Sequence, residues 1–383
     1  MIGFVHLKTE IWFAPGRANL IGEHTDYNEG FVLPFALARG VTAIASGRDD
    51  ELLVLRSKQV PDEPVTVSLG SLAPGSLATS AVTGWAAYPA GVAWALRAAG
   101  YPVRGASIDI DSDLPVGAGV SSSAALECSV ALALCSLSGV SVPREELAAI
   151  ARRAENDFVG APTGIIDQSA SLLCRDRHAL LLDCGTLATA QVPFWPAAAG
   201  VSAQVVDTRV THALVSGEYA SRRAECEEAA RLLRVRALGS VTAVGRLHEI
   251  EDPELRRRAR HVITDSARAK SIAAALLVSD GITSQDEMYR FIGRMLLEGH
   301  ASLRDDFEVS WPEADVTVDA AVAAGAYGAK MIGGGFGGSV LALMPVERAG
   351  AVRAVVTEEF TARGWTPPEF LDAVPSPPAR RLS

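Results

Sequence analysis

The chain contains 383 residues, of which 49% are hydrophobic and 21% are charged. This composition supports a buried core and excludes a wholly disordered chain, which needs low hydrophobicity and high net charge. At roughly 150 residues per domain, the length predicts two domains, or three. The 35 basic and 45 acidic side chains give a formal net charge of −10, which argues against nonspecific binding to nucleic acid or to an anionic membrane.

Hydropathy and cysteine usage bear on the compartment. The most apolar region, Ala124 to Leu137, is interrupted by Glu127 and falls short of the ~18 apolar residues that a membrane span needs. The first ten residues lack the basic and then apolar pattern of a secretory signal. The five cysteines show no C-x-x-C spacing, which fits neither a disulfide framework nor a zinc site. We expect reduced, mostly buried thiols in a cytoplasmic protein.

The first distinctive stretch, residues 14–30, is densely polar and stands between two apolar runs. We expect a loop here. Arg17, Glu23, His24 and Asp26 offer hydrogen-bond donors and acceptors within ten residues, a mixture that suits a neutral polyol. A solvated loop built from turn residues explains the same composition equally well.

A glycine- and serine-rich stretch follows at residues 114–127. Gly117 and Gly119 permit a tight turn and close approach to a ligand, and the serines after them begin a helix that we predict to end near Leu137. Free N–H groups at a helix start bind anions, and serine hydroxyls can ligate magnesium held by phosphates. The stretch lacks the Gly-Lys-Ser/Thr of a Walker A loop, and Ser122 replaces the third glycine of a dinucleotide fingerprint. An ordinary serine N-cap is the alternative.

Two acidic residues come next. Helical periodicity predicts a helix from Pro143 to about Val159 that Gly160 ends. Glu155 falls at the border of its apolar face, where a carboxylate needs a partner; a metal ion and Arg152 are both candidates. Asp167 follows a loop rich in glycine and proline, and its local sequence favours a helix cap over a positioned acid.

The second half of the chain begins after a proline-bracketed linker at residues 193–200. We place a boundary there, with one lobe over residues 1–200 and another over 201–383, and expect the Pro-, Arg- and Ser-rich tail at 375–383 to fray. Five glycines in six residues, Gly333–Gly338, precede an apolar strand. Glycines at a strand entry admit a ligand or another backbone, so a nucleotide contact and a tight turn between lobes are equally plausible.

Taken in this order and spacing, the motifs resemble the galactokinases, which belong to a superfamily of small-molecule kinases that also includes homoserine, mevalonate and phosphomevalonate kinases. Residues 15–30 are similar to the galactokinase-specific opening motif, residues 115–125 to the phosphate loop of the wider superfamily, and Gly333–Gly338 to its third motif. The resemblance spans roughly residues 11 to 345. It implies an α+β fold of two lobes with mixed or antiparallel sheets and an active site in the cleft between them.

The resemblance also implies roles for matching residues. The sugar-binding set is Glu23, His24, Asp26, Gly164 and Tyr219. Asp167 matches the catalytic base, and Arg17 matches the arginine between that acid and the transferred phosphoryl group. The phosphate loop comprises Gly117, Ala118, Gly119, Val120, Ser121, Ser122 and Ser123. Ser123 and Glu155 match the magnesium ligands.

The implied activity is phosphorylation of the C1 hydroxyl of α-D-galactose by ATP and Mg²⁺, which commits galactose to breakdown. The expected partners are these small molecules, with no nucleic acid or membrane, and the expected state is a monomer. Another sugar 1-kinase, acting on N-acetylgalactosamine or L-arabinose, is an alternative. A non-catalytic galactose sensor is a further alternative, although such sensors carry a deletion after the phosphate-loop serines and Ser123-Ala124 is intact here.

Overall fold

The structure is a computed structural model, and it describes residues 9–61, 63–74, 82–115, 117–211, 215–278 and 284–383. The described strands are β1 (Thr9–Asn19), β2 (Phe31–Val32), β3 (Pro34–Gly47), β4 (Leu52–Ser57), β5 (Val65–Ser68), β6 (Ala106–Ser112), β7 (His178–Asp183), β8 (Thr189–Pro193), β9 (Val201–Asp207), β10 (Gly328–Ile332), β11 (Ser339–Pro345), β12 (Glu369–Asp372) and β13 (Arg380–Arg381). The described α-helices are α1 (Ala87–Ala98), α2 (Ser122–Leu137), α3 (Arg144–Arg153), α4 (Ile166–Leu173), α5 (Val215–Leu232), α6 (Pro253–Leu277), α7 (Gln285–Asp305), α8 (Pro312–Ala323) and α9 (Ala349–Ala362).

The first lobe is built on a six-stranded sheet in the order β13-β1-β3-β6-β4-β5. Its neighbours pair antiparallel except β4 and β6, which run parallel. Helix α2 packs on β1 and β3, and all its residues from Ala124 to Cys135 are buried, as expected for a helix that is apolar on every side. This packing fixes the start of α2, where the phosphate loop ends.

The second lobe contains the four-stranded antiparallel sheet β10-β11-β9-β12. Helices α7 and α8 pack on β10, and α5, α6 and α7 pack against one another in sequence. A small sheet, β2-β7-β8, completes the strands. The α+β class with mixed and antiparallel sheets is confirmed. Among the described residues, no helix is long and apolar enough to cross a bilayer.

The polar stretch at 14–30 differs from the expected loop. Residues 14–19 belong to β1, which has an irregular register between Pro15 and Arg17. The apolar run therefore continues as strand through the first polar residues, and its alternation places side chains two residues apart on one face. Arg17 and Asn19 share such a face.

The predicted helix over 143–159 is interrupted. It forms α3 and then a π-helical turn, Ala154–Val159, before Gly160 ends it with a φ of 85°. Such wider turns are frequent at functional sites, and this one carries Glu155.

The expectation of a frayed C-terminal tail is wrong. Strand β13 pairs with β1, and the Leu382 amide donates to the Ile11 carbonyl at 2.7 Å. The tail satisfies backbone groups at the edge of β1, a role that depends little on side-chain type. Its proline, arginine and serine composition therefore misled the prediction.

Candidate active site

A cavity lies between the lobes and is lined by Arg17, Asn19, Gly22, Glu23, His24, Asp26, Gly164, Ile166, Asp167, Tyr219, Gly333 and Gly334. Every candidate sugar-binding and catalytic residue named above is in this set. The first lobe supplies most of the wall, whereas Tyr219 and the two glycines come from the second. The polar stretch at 14–30 is therefore not a solvated loop, since Glu23 and His24 are 4% and 5% exposed.

An arginine–carboxylate pair stands at one end of the cavity. Arg17 Nε and Nη2 both lie 2.9 Å from Asp167 Oδ1. Asp167 is the second residue of α4, whose N-cap position is occupied by Ile165, so the cap interpretation is wrong. The Arg17 Nη1 also donates to the carbonyl of Gly119, and its backbone amide donates to Val120 at 3.1 Å. Arg17 thus joins the acid to the phosphate loop.

Asp26 lines the same cavity, against the backbone of Gly164. A Cβ atom added at Gly164 would come within 1.6 Å of Asp26 Oδ2, so the absence of a side chain there makes room for the carboxylate. Burial, together with the charge of Asp167, raises the pKa of Asp26 to about 6, and Arg17 opposes the shift. Asp26 and Asp167 therefore line the same cavity, near enough for the charge of Asp167 to affect Asp26.

Glu23 is held by the second lobe. Its Oε2 accepts a hydrogen bond from Lys330 Nζ on β10, and both side chains are almost wholly buried, at 2% and 0% exposed. Its backbone carbonyl accepts from His261 Nε2 at 3.0 Å. Burial raises the pKa of Glu23, and Lys330 offsets part of that rise. Glu23 Oε1 has no hydrogen-bond partner among the described residues, which leaves an acceptor on the cavity wall.

His24 serves the wall differently from the other polar residues. Its Nδ1 lies 2.9 Å from the Tyr27 hydroxyl and its Nε2 lies 3.1 Å from the Gly334 carbonyl. Burial lowers the pKa of His24 to about 3, so the ring is neutral, with Nε2 donating to the carbonyl and Nδ1 accepting from the hydroxyl. Both nitrogens are occupied, and His24 therefore supports the second lobe's glycines. The Tyr219 ring on α5 is 5.4 Å from the His24 ring.

The phosphate loop leads into α2 through backbone conformations that favour glycine. Gly117 and Gly119 have φ values of 79° and 68°, and Ser121 is left-handed at 60°. Ser121 makes no side-chain bond to the helix amides, so the N–H groups at the start of α2 are free for an anion.

The second glycine cluster connects β10 to β11 and packs on this loop. A Cβ atom at Gly333 would lie 3.4 Å from the carbonyl oxygen of Gly119. Ser339 Oγ donates to the Ala118 carbonyl at 2.7 Å. A side chain at Gly333 would thus meet only an ordinary contact, and its φ of 85° is what favours glycine there. The contact between the two loops agrees with a tight turn between lobes, one of the two interpretations left open above.

Glu155 and Ser123 meet beside the phosphate loop. Ser123 lies near enough to the Glu155 carboxylate to lower its pKa, and this carboxylate accepts hydrogen bonds from Thr163 Oγ1 at 2.7 Å and Gln168 Nε2 at 2.8 Å. Burial raises the pKa of Glu155, and these donors oppose the rise. The buried position agrees with the prediction, whereas the partners in the structure are not Arg152. One carboxylate and one hydroxyl oxygen fit Mg²⁺, which takes few protein ligands beside substrate phosphates.

Sequence reasoning assigned no role to three residues that complete the site. Asn19 lines the cavity, Lys330 pairs with Glu23, and Gln168 bonds both Glu155 and the buried Glu127. Asn19 was within reach of the sequence, because it follows Arg17 by two residues on a strand. The partners of Lys330 and Gln168 depend on tertiary contacts that no local pattern encodes.

Comparison with known proteins defines the class first. Models of the GHMP kinase N-terminal and C-terminal domains match residues 87–175 and 288–362, and a galactokinase galactose-binding signature matches residues 4–47. A mevalonate kinase crystal structure shares the fold with a TM-score of 0.66 at 15% identity, covering 97% of this chain and 98% of that one. The chain carries the domains and the fold of a GHMP small-molecule kinase.

Relatives narrow the class. The chain is 49% identical to galactokinase of Streptomyces coelicolor, across 97% of this chain and 94% of that protein. It is 43% identical to galactokinase of Mycobacterium tuberculosis, across 93% and 94%. A crystal structure of Lactococcus lactis galactokinase complexed with galactose superposes with a TM-score of 0.90 at 32% identity, covering 98% of this chain and 95% of that one. The chain belongs to the galactokinase family.

Proposed function

We propose that this protein transfers the γ-phosphoryl group of ATP to the C1 hydroxyl of α-D-galactose, giving galactose 1-phosphate and ADP. The observation that carries the proposal is the Arg17–Asp167 pair at 2.9 Å, set between a polar cavity and the carbonyl of Gly119 in the phosphate loop. A sugar in the cavity and phosphates at the start of α2 would meet at this pair.

In the proposed reaction the C1 oxygen forms a bond to the γ-phosphorus as the bond from that phosphorus to the β,γ-bridging oxygen breaks. Asp167 accepts the C1 hydroxyl proton. Arg17 orients Asp167 and offsets charge on the transferring group. Phosphoryl transfer depends mainly on positioning and charge neutralisation. Arg17 would serve both needs, because it would orient Asp167 and offset charge on the transferring group.

The metal requirement is part of the proposal. Ser123 and Glu155 would hold Mg²⁺, and when bound the ion neutralises charge on phosphate oxygens. Hydrogen bonds from Thr163 and Gln168 keep the Glu155 carboxylate in place. Among the described residues no group of three or more His, Cys, Asp or Glu side chains could hold a metal. Mg²⁺ does not need such a group where substrate phosphates supply most of its ligands.

Sugar choice would come from buried hydrogen bonds to an axial 4-hydroxyl, for which Asp26 and Tyr219 are the candidates. A glucose molecule would leave such groups unpaired, and a mismatch of that kind discriminates by up to ~10⁴-fold. Gly164, which makes room for Asp26, belongs to the same sugar-binding set.

We also propose that the protein is a monomer and that it is cytoplasmic. Gel filtration tests the first proposal and cell fractionation tests the second.

The proposal is tested by measuring ADP release with Mg²⁺ and ATP across D-galactose, D-glucose, N-acetylgalactosamine and L-arabinose. We expect turnover with galactose and a loss of at least ~10²-fold in kcat for Asp167→Asn. If the protein preferred N-acetylgalactosamine or L-arabinose, that sugar would take the place of galactose as the proposed substrate. Binding of galactose and ATP without turnover would contradict the enzyme assignment and favour the sensor.

A further inference from the structure

Asn19 is the last residue of β1, and it faces the cavity beside Arg17. Residues two apart on a strand project from the same face. Asn19 is 1% exposed, so its amide does not reach bulk solvent.

Neither polar atom of the Asn19 side chain is used by the protein. Both Nδ2 and Oδ1 are buried without a hydrogen-bond partner among the described residues. Buried polar groups are almost always paired, and leaving both ends of an amide unpaired is costly. This is true of Asn19 whichever way its amide is oriented.

Two other buried polar side chains of the same segment form hydrogen bonds with the chain itself. Asn28 Nδ2 donates to the His24 carbonyl at 2.8 Å. Thr25 Oγ1 lies 2.8 Å from the carbonyls of both Gly22 and Phe31. These residues hold the segment together, whereas the amide of Asn19 contributes no such bond.

The chemistry of the amide selects its ligand. A neutral amide offers one donor group and one acceptor, and a hydroxyl group matches both because it accepts one bond and donates another. A phosphate oxygen would accept from Nδ2 and leave Oδ1 unpaired. Glu23, whose Oε1 has no hydrogen-bond partner among the described residues, lines the same cavity, so the wall combines acceptors with donors, as a polyol requires.

We propose that Asn19 is a further specificity-determining residue that hydrogen-bonds one hydroxyl group of the sugar. The proposal rests on the proposed function, since it places a sugar in this cavity. It assigns the orphaned amide to the sugar and not to the nucleotide.

The test combines Asn19→Ala with a set of deoxygalactoses that each lack one hydroxyl group. We expect Asn19→Ala to raise the KM for galactose by about 10- to 100-fold, with a smaller change in kcat and an unchanged KM for ATP. For one deoxysugar the variant and wild type should have equal kcat/KM, because the bond is already missing. Calorimetric titration of the sugar without ATP should show the same pattern.

Asn28→Ala is the matched control, since it removes a buried asparagine of the same segment that bonds the chain. It should lower the midpoint of thermal unfolding and show no dependence on which hydroxyl is absent. If Asn19→Ala does not fold, Asn19→Asp replaces it in the test, because aspartate has nearly the same shape as asparagine. We expect Asn19→Asp to weaken sugar binding too.

The role of Asn19 would be overturned if Asn19→Ala lowered kcat/KM by the same factor for galactose and for every deoxygalactose. It would also be overturned if the variant changed only the KM for ATP. Failure of the wild-type protein to phosphorylate galactose would instead overturn the proposed function.

Discussion

At the scale of single residues, Gly164 shows how the site depends on a missing side chain. The carboxylate of Asp26 occupies the space that a Cβ atom would need, at 1.6 Å from Oδ2. Resemblance alone assigned Gly164 to sugar binding without a reason, and the structure supplies one in steric terms.

We expect Gly164→Ala to displace Asp26 and raise the KM for the sugar by about 10-fold or more, while the KM for ATP changes little. Steady-state kinetics with each substrate varied in turn measures both constants. Gly350→Ala in α9 is the control, because a Cβ atom there meets nothing within 4 Å, and it should leave both constants unchanged. A Gly164→Ala enzyme with a normal KM for the sugar would show that Asp26 does not contact it.

At the scale of elements, the predictions were most accurate where periodicity and caps agree. Helix α2 ends at Leu137, as predicted, with Gly139 beyond it. The polar end of β1 was mistaken for loop because strand pairing with β3 outweighs composition. The π-helical turn at Ala154–Val159 has no sequence signal that we recognise.

Strand β13 offers a test at this scale. The Leu382 amide donates to the Ile11 carbonyl, while the Leu382 side chain is 52% exposed. We expect Leu382→Pro to lower the free energy of unfolding by about 1–3 kcal/mol, since it removes the donor and disturbs the edge pairing. Urea denaturation measures the change.

Leu382→Ala separates backbone from side chain, and its cost should stay within about 0.5 kcal/mol. Equal losses for the two variants would mean that the exposed side chain, and not the strand pairing, ties down the tail.

At the scale of the whole molecule, one buried ion pair joins the lobes inside the site. Lys330 on β10 and Glu23 after β1 are both secluded from solvent. Breaking such a pair leaves an uncompensated buried charge, whereas exposed pairs contribute little. The pair also leaves Glu23 Oε1 without a partner among the described residues, as an acceptor for the proposed sugar.

We expect Lys330→Ala to destabilise the protein by about 3–5 kcal/mol. Lys58→Ala provides the contrast, because Lys58 and Asp111 form an exposed pair at 2.8 Å, and its cost should be below ~1 kcal/mol. Thermal and chemical unfolding of both variants decide the matter, and similar costs would contradict a structural role for the buried pair.

Much of the site was foreseeable because its residues sit in short contiguous motifs at 17–26, 117–123 and 333–338. The contacts that join these motifs are long-range. The resemblance implied that of Arg17 with Asp167, 150 positions away, but nothing in the sequence indicated that of Glu23 with Lys330, 307 positions away. The sequence also did not indicate the role of His24, because contacts with Tyr27 and Gly334 occupy both of its ring nitrogens.

The return of the chain from the second lobe to β13 has a consequence for attempts to divide the protein. Residues 1–200 are not a self-sufficient sheet, because the outer edge of β1 is covered by a strand from the other end of the sequence. A fragment holding the first lobe alone would present that row of unpaired amides and carbonyls to any other strand. Uncovered edges of this kind recruit further chains, so self-association would accompany the separation of the lobes.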